Sequence, residues 1–216
     1  MKRVFGLFEA VFDILYLVVA IIIGLTLLLS TPYSFLRILA GIMALVLALG
    51  DAFHLIPRIY VIITDKEEQM TRLLGRGKQI ASITMTIFYV ILWHVGVILF
   101  SPVNIIFWTY AVYSLAIIRI ILCLFPQNKW EKRYSPIKWG VWRNIPFFIQ
   151  GMLVAGLFFA FKDVLPFIGT VWFAIILSFL FYIPVVIWSN KNPKLGMLML
   201  PKTCTYLWLL IMFISL

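Results

Sequence analysis

Residues 7–57, "LFEAVFDILYLVVAIIIGLTLLLSTPYSFLRILAGIMALVLALGDAFHLIP", decide the fold. Two apolar runs, 7–30 and 34–57, are parted only by "STPYS", a cluster of turn formers. Each run reaches the roughly 20 residues a helix needs to cross the hydrocarbon core. They predict two antiparallel spanning helices joined by a tight turn.

The same pattern recurs to the end of the chain. Further apolar segments lie at about 79–100, 103–125, 144–162, 165–188 and 196–216. The breaks between them read "SPVN", "CLFPQNKWEKRYSPIKWG", "FKDVLP" and "SNKNPKLG". Residues 64–78, "TDKEEQMTRLLGRGK", predict the largest charged loop. The whole of 1–216 is therefore expected to be one all-α, polytopic transmembrane bundle of seven helices. Composition agrees: 64% of the residues are hydrophobic and 12% charged, against about 45–50% and about 25% in ordinary globular domains. The mean hydropathy is +1.08. The basic start of the chain resembles a signal peptide, but Glu9 and Asp13 interrupt the apolar run and no small-x-small site follows, so a retained first helix is expected.

Basic residues set the orientation. Lys2 and Arg3 precede the first helix. Arg58, Lys66, Arg72, Arg76 and Lys78 fall in or beside the second connection, and Lys129, Lys132, Arg133, Lys138 and Arg143 do so at the fourth. Lys191, Lys194 and Lys202 flank the sixth. That gathers fifteen of the eighteen Lys and Arg on one side and leaves Arg37, Arg119 and Lys162. A cytoplasmic N-terminus, an external C-terminus and a place in the cell membrane are expected. Trp130, Trp139, Trp142 and Trp188 then read as anchors at the cytoplasmic interface. The formal charge of +10 belongs to this topology, so nucleic acid is not an expected partner.

A carboxylate inside a spanning helix is costly and usually faces the bundle interior with a partner. Glu9, Asp13 and Tyr16 share one face of the first helix; Asp51, His54 and Arg58 share one face of the second. Both helices carry these groups in their cytoplasmic part. Gln150 on the fifth helix and Lys202 on the seventh fall at the same depth. Ser178 with Tyr182, and Ser82, Thr86, Tyr89 and Trp93, add polar stripes on the sixth and third. A shared polar cavity open to the cytoplasm is expected. His94 and Arg119 read as packing or interface residues, Arg119 having no partner in phase on its own helix.

Other chemistries lack their signatures. There is no G-x-S-x-G elbow, and "LLGRGK" is too short for a phosphate-cradling loop. Two histidines outside any H-x-x-x-H pair do not make a zinc site. Cys123 and Cys204 have no metal or redox spacing. No metal or other cofactor is expected, and carboxylate acid–base work remains.

The segment "GDAFHLIPR", 50–58, resembles the signature of the YhhN-type lysoplasmalogenase family, small membrane enzymes that cleave the vinyl ether of lysoplasmalogens. The resemblance extends loosely over 34–216, including the Gly-initiated "IGTVWFAIILSFLFY". It implies Asp51 as the catalytic acid or base, with His54 assisting, and Arg58 or Lys202 holding the lipid phosphate. Gln150, Ser178 and Tyr89 join these as candidate substrate contacts. The family's second Asp, after a Ser in the penultimate helix, is here Phe179 after Ser178, and His94 comes too late to match the family's histidine. Glu9 or Asp13 is therefore the expected replacement carboxylate. A membrane lipid is the expected ligand. The same residues also suit a small proton-coupled transporter or a non-catalytic lipid-binding protein, and the sequence specifies no oligomeric state.

Overall fold

The computed structural model describes residues 2–31, 34–132 and 135–216, the side chains of 2–4 and 193 excepted. The side chains of Lys2 and Arg3, the turn residues 32 and 33, and Arg133 of the basic set thus lie outside the described residues.

Seven helices follow one another: α1 (Lys2–Leu29), α2 (Phe35–Thr64), α3 (Glu67–Phe100), α4 (Ile106–Leu124), α5 (Ile137–Ala160), α6 (Val171–Trp188) and α7 (Met199–Met212). With the short 3-10 segments that flank α7, all seven are long and apolar enough to cross a membrane. Their outward faces carry Leu15, Ile22, Phe53, Ile117 and Leu180, all well exposed. In water such a surface would drive aggregation; against lipid tails it is neutral. The protein is a multi-pass integral membrane protein.

Each helix packs on the next, and α7 returns to α1, so the bundle closes into a ring. Helix α3 also touches α5 directly, which pushes α4 to the rim. Tyr16, Phe88, Tyr89, Trp93, Phe147 and Phe158 fill the centre. The α2–α3, α4–α5 and α6–α7 connections share one end of the bundle, called the basic end below. At the opposite end Ser34 caps α2 by accepting from the Arg37 amide at 3.2 Å, and the Arg37 guanidinium donates to Ser30 at 2.6 Å.

The charged stretch 64–78 is not the loop predicted from its polarity. Helix α2 continues through Pro57 to Thr64, a left-handed Asp65 (φ 57°) closes it, and α3 begins at once with Glu67 and Glu68 in its first turn. Acidic residues there complement the helix dipole, and the stretch is rich in good helix formers. Hydropathy cannot separate a loop from a helix that runs on past the hydrocarbon. For the same reason α5 starts at Ile137, seven residues before its apolar run.

Small residues bring α2 and α3 together. Pro57 has no N–H for the Phe53 carbonyl one turn back, and Gly77 lays the α3 backbone against that carbonyl. A Cβ on Gly77 would sit 2.8 Å from the His54 Cα, and one on Gly50 would run into Thr84. The close crossing fixes the turn that carries Asp51 and His54.

Candidate functional site

The α1–α2 hairpin sets the acidic half of the interior. Gly24 and Gly41 face each other across the crossing, letting the two backbones approach. Toward the basic end this alignment puts Glu9 against Arg58 as a salt bridge, with the Arg58 side chain half exposed. One turn further in, Asp13 is buried and its Oδ2 has no hydrogen-bond partner. Deeper still, the Tyr16 hydroxyl donates to Asp51 Oδ2 at 2.7 Å. The two stripes inferred from helical phase therefore meet residue by residue.

Helix α7 completes this group. Lys202 is buried, within electrostatic reach of Asp51, and lies over the rings of Tyr182 and Tyr206 at 5.0 and 4.8 Å. The Tyr206 hydroxyl is 3.3 Å from that of Tyr89, and Ser178 is near both. Asp51, Asp13, Lys202, Tyr89 and Ser178 thus belong to one connected interior. Asp51 and His54 are half-buried.

Two expected members sit apart from Asp51. His54 turns to α3, where its ring meets the Leu74 backbone and the charge of Lys78, and its Nδ1 has no partner. Gln150 is fully buried and donates to the Thr86 carbonyl at 3.3 Å, leaving its own Oε1 unpartnered. His94 joins α3 to α4, with Nδ1 2.8 Å from the Val90 carbonyl and Nε2 2.7 Å from the Tyr113 hydroxyl. Among the described residues no three His, Cys, Asp or Glu side chains gather as a metal-binding group.

Trp130 was read as an interface anchor; instead it is buried, donates to the Cys123 carbonyl at 2.9 Å and stacks under Arg143. Trp142 and Trp188 are exposed, as anchors would be. Above this layer, outside the spans, Glu131 accepts from Arg72 and Arg76 at 3.2 and 3.0 Å. These hydrogen bonds, first that of Arg72, hold its carboxyl below the ordinary value.

Sequence reading finds Tyr16, in phase with Glu9 and Asp13, but takes Arg119 for a packing or interface residue and misses Asn144. Arg119 is 2% exposed and presses its guanidinium on Phe147, 3.3 Å from the ring centroid. Asn144, which accepts from the Tyr182 hydroxyl at 3.1 Å, lines with it a largely apolar groove of about 200 Å³ between α5 and α6. The Phe147 contact of Arg119 and the hydrogen bond that Asn144 accepts from Tyr182 come from other helices, where periodicity along one helix is blind.

No protein-family model, curated protein or solved structure matches this chain. Fold and interior together define a seven-helix membrane protein with two carboxyl groups, a lysine and a tyrosine gathered between α1, α2 and α7.

Proposed function

We propose that this interior is the active site of a membrane-embedded hydrolase acting on a lysoplasmalogen or related ether lysolipid, with Asp51 at its centre. The observation that carries the reading is the Tyr16–Asp51 hydrogen bond, set beside Asp13 on one side and Lys202 on the other. Two carboxyl groups on facing helices supply one proton donor and one acceptor. The resemblance of "GDAFHLIPR" to the lysoplasmalogenase signature supplies the substrate class.

In the proposed reaction a carboxylic acid protonates the vinyl carbon remote from oxygen, giving an oxocarbenium ion. Water adds to the cationic carbon and passes its proton to the second carboxylate. As the resulting hemiacetal breaks its C–O bond to the glycerol, its hydroxyl returns a proton to the first carboxylate and the second carboxyl protonates the leaving oxygen, releasing an aldehyde and a free hydroxyl. One water is consumed and the carboxyl groups end as they began. Asp13 takes the place of the second aspartate that Ser178–Phe179 does not provide, and Tyr16 orients Asp51. The bias of Lys and Arg to the basic end supports placing that end in the cytoplasm and the protein in the cell membrane.

Aldehyde release from lysoplasmalogen by the purified protein tests this. General acid–base groups are worth about 10²–10⁴-fold, so Asp51→Asn should cut turnover by at least about 100-fold. Full activity in that variant removes Asp51 from the chemistry. The Lys202 charge within reach of Asp51, deep between α7 and α2, also favours a second reading, proton-coupled transport. Proton flux in liposomes that needs Asp51, without aldehyde release, selects it.

A further inference from the structure

Arg119 is the strongest remaining feature of the interior. Among the described residues its Nε and Nη1 have no hydrogen-bond partner and no carboxylate pairs with it. The reason lies in the distribution of acids. The chain has eight Asp and Glu, and none falls on α4, α5, α6 or α7. Glu9, Asp13 and Asp51 all belong to α1 and α2, where Arg58 and Lys202 lie near them.

Arg119 meets a second cation, Arg143, together with Tyr182, Tyr206 and the Cys123 thiol, with which it shares a hydrogen bond. Arg143 is held by Asn128 Oδ1 at 2.8 Å and by the Trp130 ring, both neutral. A buried guanidinium with unmade hydrogen bonds and no counter-ion is costly unless an anion completes it.

The route to it is apolar. The α5–α6 groove is walled by Ile145, Phe148, Ile149 and Val186 and floored by Phe179, Tyr182 and Asn144. Phe147, on which Arg119 lies, packs on Phe179 and Tyr182 with ring centroids 5.0 and 6.3 Å away. Phe147 and then Phe179 and Tyr182 thus lie between the guanidinium and the groove, and Tyr182, which lines the groove, is also within electrostatic reach of Arg119. Drug-sized ligands fill about 300–1,000 Å³, so about 200 Å³ suits a stretch of one hydrocarbon chain.

We propose that Arg119, with Arg143 and Tyr182 beside it, binds the anionic head group of a single-chain lipid whose hydrocarbon chain lies in the α5–α6 groove. Charge complementarity selects an anionic amphiphile over a neutral one. The site adjoins Lys202 through Tyr182 but contains no carboxylate, and its occupation requires no hydrolysis.

Three probes separate charge from chain in a binding assay on the purified full chain, read by native mass spectrometry and ligand-induced thermal shift. They are oleoyl lysophosphatidate, monoolein with the same chain but no charge, and inorganic phosphate with charge but no chain. Lysophosphatidate carries an ester, not a vinyl ether, so failure to bind and failure of the proposed hydrolysis are separate results. Charge-assisted contacts to a buried guanidinium should favour lysophosphatidate over monoolein by about tenfold or more. Arg119→Gln should erase that preference. Ile149→Trp, which fills the groove, should weaken both lipids. Equal binding of lysophosphatidate and monoolein by the wild type overturns the proposal even if Arg119→Gln does not fold. So does an unaltered preference in folded Arg119→Gln. Phosphate alone binding as tightly as lysophosphatidate makes this a free-anion site and overturns the lipid assignment.

Discussion

Replacing Gly77 by alanine tests whether the α2–α3 crossing holds the acidic turn in place. The new methyl would stand 2.8 Å from the His54 Cα and inside contact distance of the Phe53 carbonyl oxygen. Carbon atoms rest about 3.5–4.0 Å apart, so the shortfall is roughly 1 Å. Both obstacles are backbone, and no rotamer change can clear them. The helices must part locally or bend. Overpacking of this kind costs about 1–3 kcal/mol, and rigid obstacles put the effect in the upper half of that range. At about 2–4 °C per kcal/mol for a chain of this size, the midpoint of thermal unfolding should fall by roughly 4–12 °C.

The same displacement reaches the site. The Tyr16–Asp51 hydrogen bond is 2.7 Å long, and a shift of about 1 Å takes it beyond the range of a good bond. Gly156→Ala is the matched control. It lies on the exposed face of α5, where an added Cβ meets nothing within 4 Å. There alanine gains about 0.8–1.0 kcal/mol of helix propensity over glycine, and the midpoint should hold or rise. Thermal unfolding in detergent, followed by tryptophan fluorescence, compares the two. A Gly77→Ala midpoint within about 1 °C of wild type, or equal losses in both variants, refutes the close-crossing argument.

Two further outcomes follow from single contacts. Tyr16→Phe removes the donor to Asp51 and should lower stability by about 1.5–3 kcal/mol, the worth of a hydrogen bond to a charged group; a midpoint equal to wild type shows that Asp51 does not depend on Tyr16. The Glu131 carboxyl is held below its ordinary value, first by the hydrogen bond from Arg72 and then by that from Arg76. Its anchoring of the α4–α5 connection is therefore present above the ordinary carboxylate value and lost as pH falls through the lowered one. Protection of the amides at residues 129–132, taken relative to their intrinsic exchange, should fall below about pH 4, and also with added salt at neutral pH. Protection that ignores both pH and salt contradicts that anchoring.

What the sequence disclosed, and what it withheld, divides along the helix axis. Seven apolar runs of spanning length survive in any environment, and they are legible because lipid demands them. Phase within a helix is equally legible: Glu9, Asp13 and Tyr16 lie on one line, Asp51 and Arg58 on another, and in the fold these lines face each other. The charged helix turns of 67–78 were hidden because polarity marks the edge of the hydrocarbon and not the end of a helix. His54 is in phase with Asp51 yet turns to α3, since residues 51 and 54 diverge by about 60° around α2, enough for two different neighbours.

Arg119 shows the deeper limit. Its meaning depends on the absence of acids from four helices and on the rings of α5 and α6 that surround it. Neither is a property of α4. Seen along its own helix it is a single charge near an interface. Seen across the ring it divides the interior in two, an acidic half where every carboxylate has a proton donor or a cation close by, and a cationic half with no carboxylate. That division lets each proposal stand or fall alone: hydrolysis needs the carboxyl groups of α1 and α2, and anion binding needs Arg119 and the α5–α6 groove.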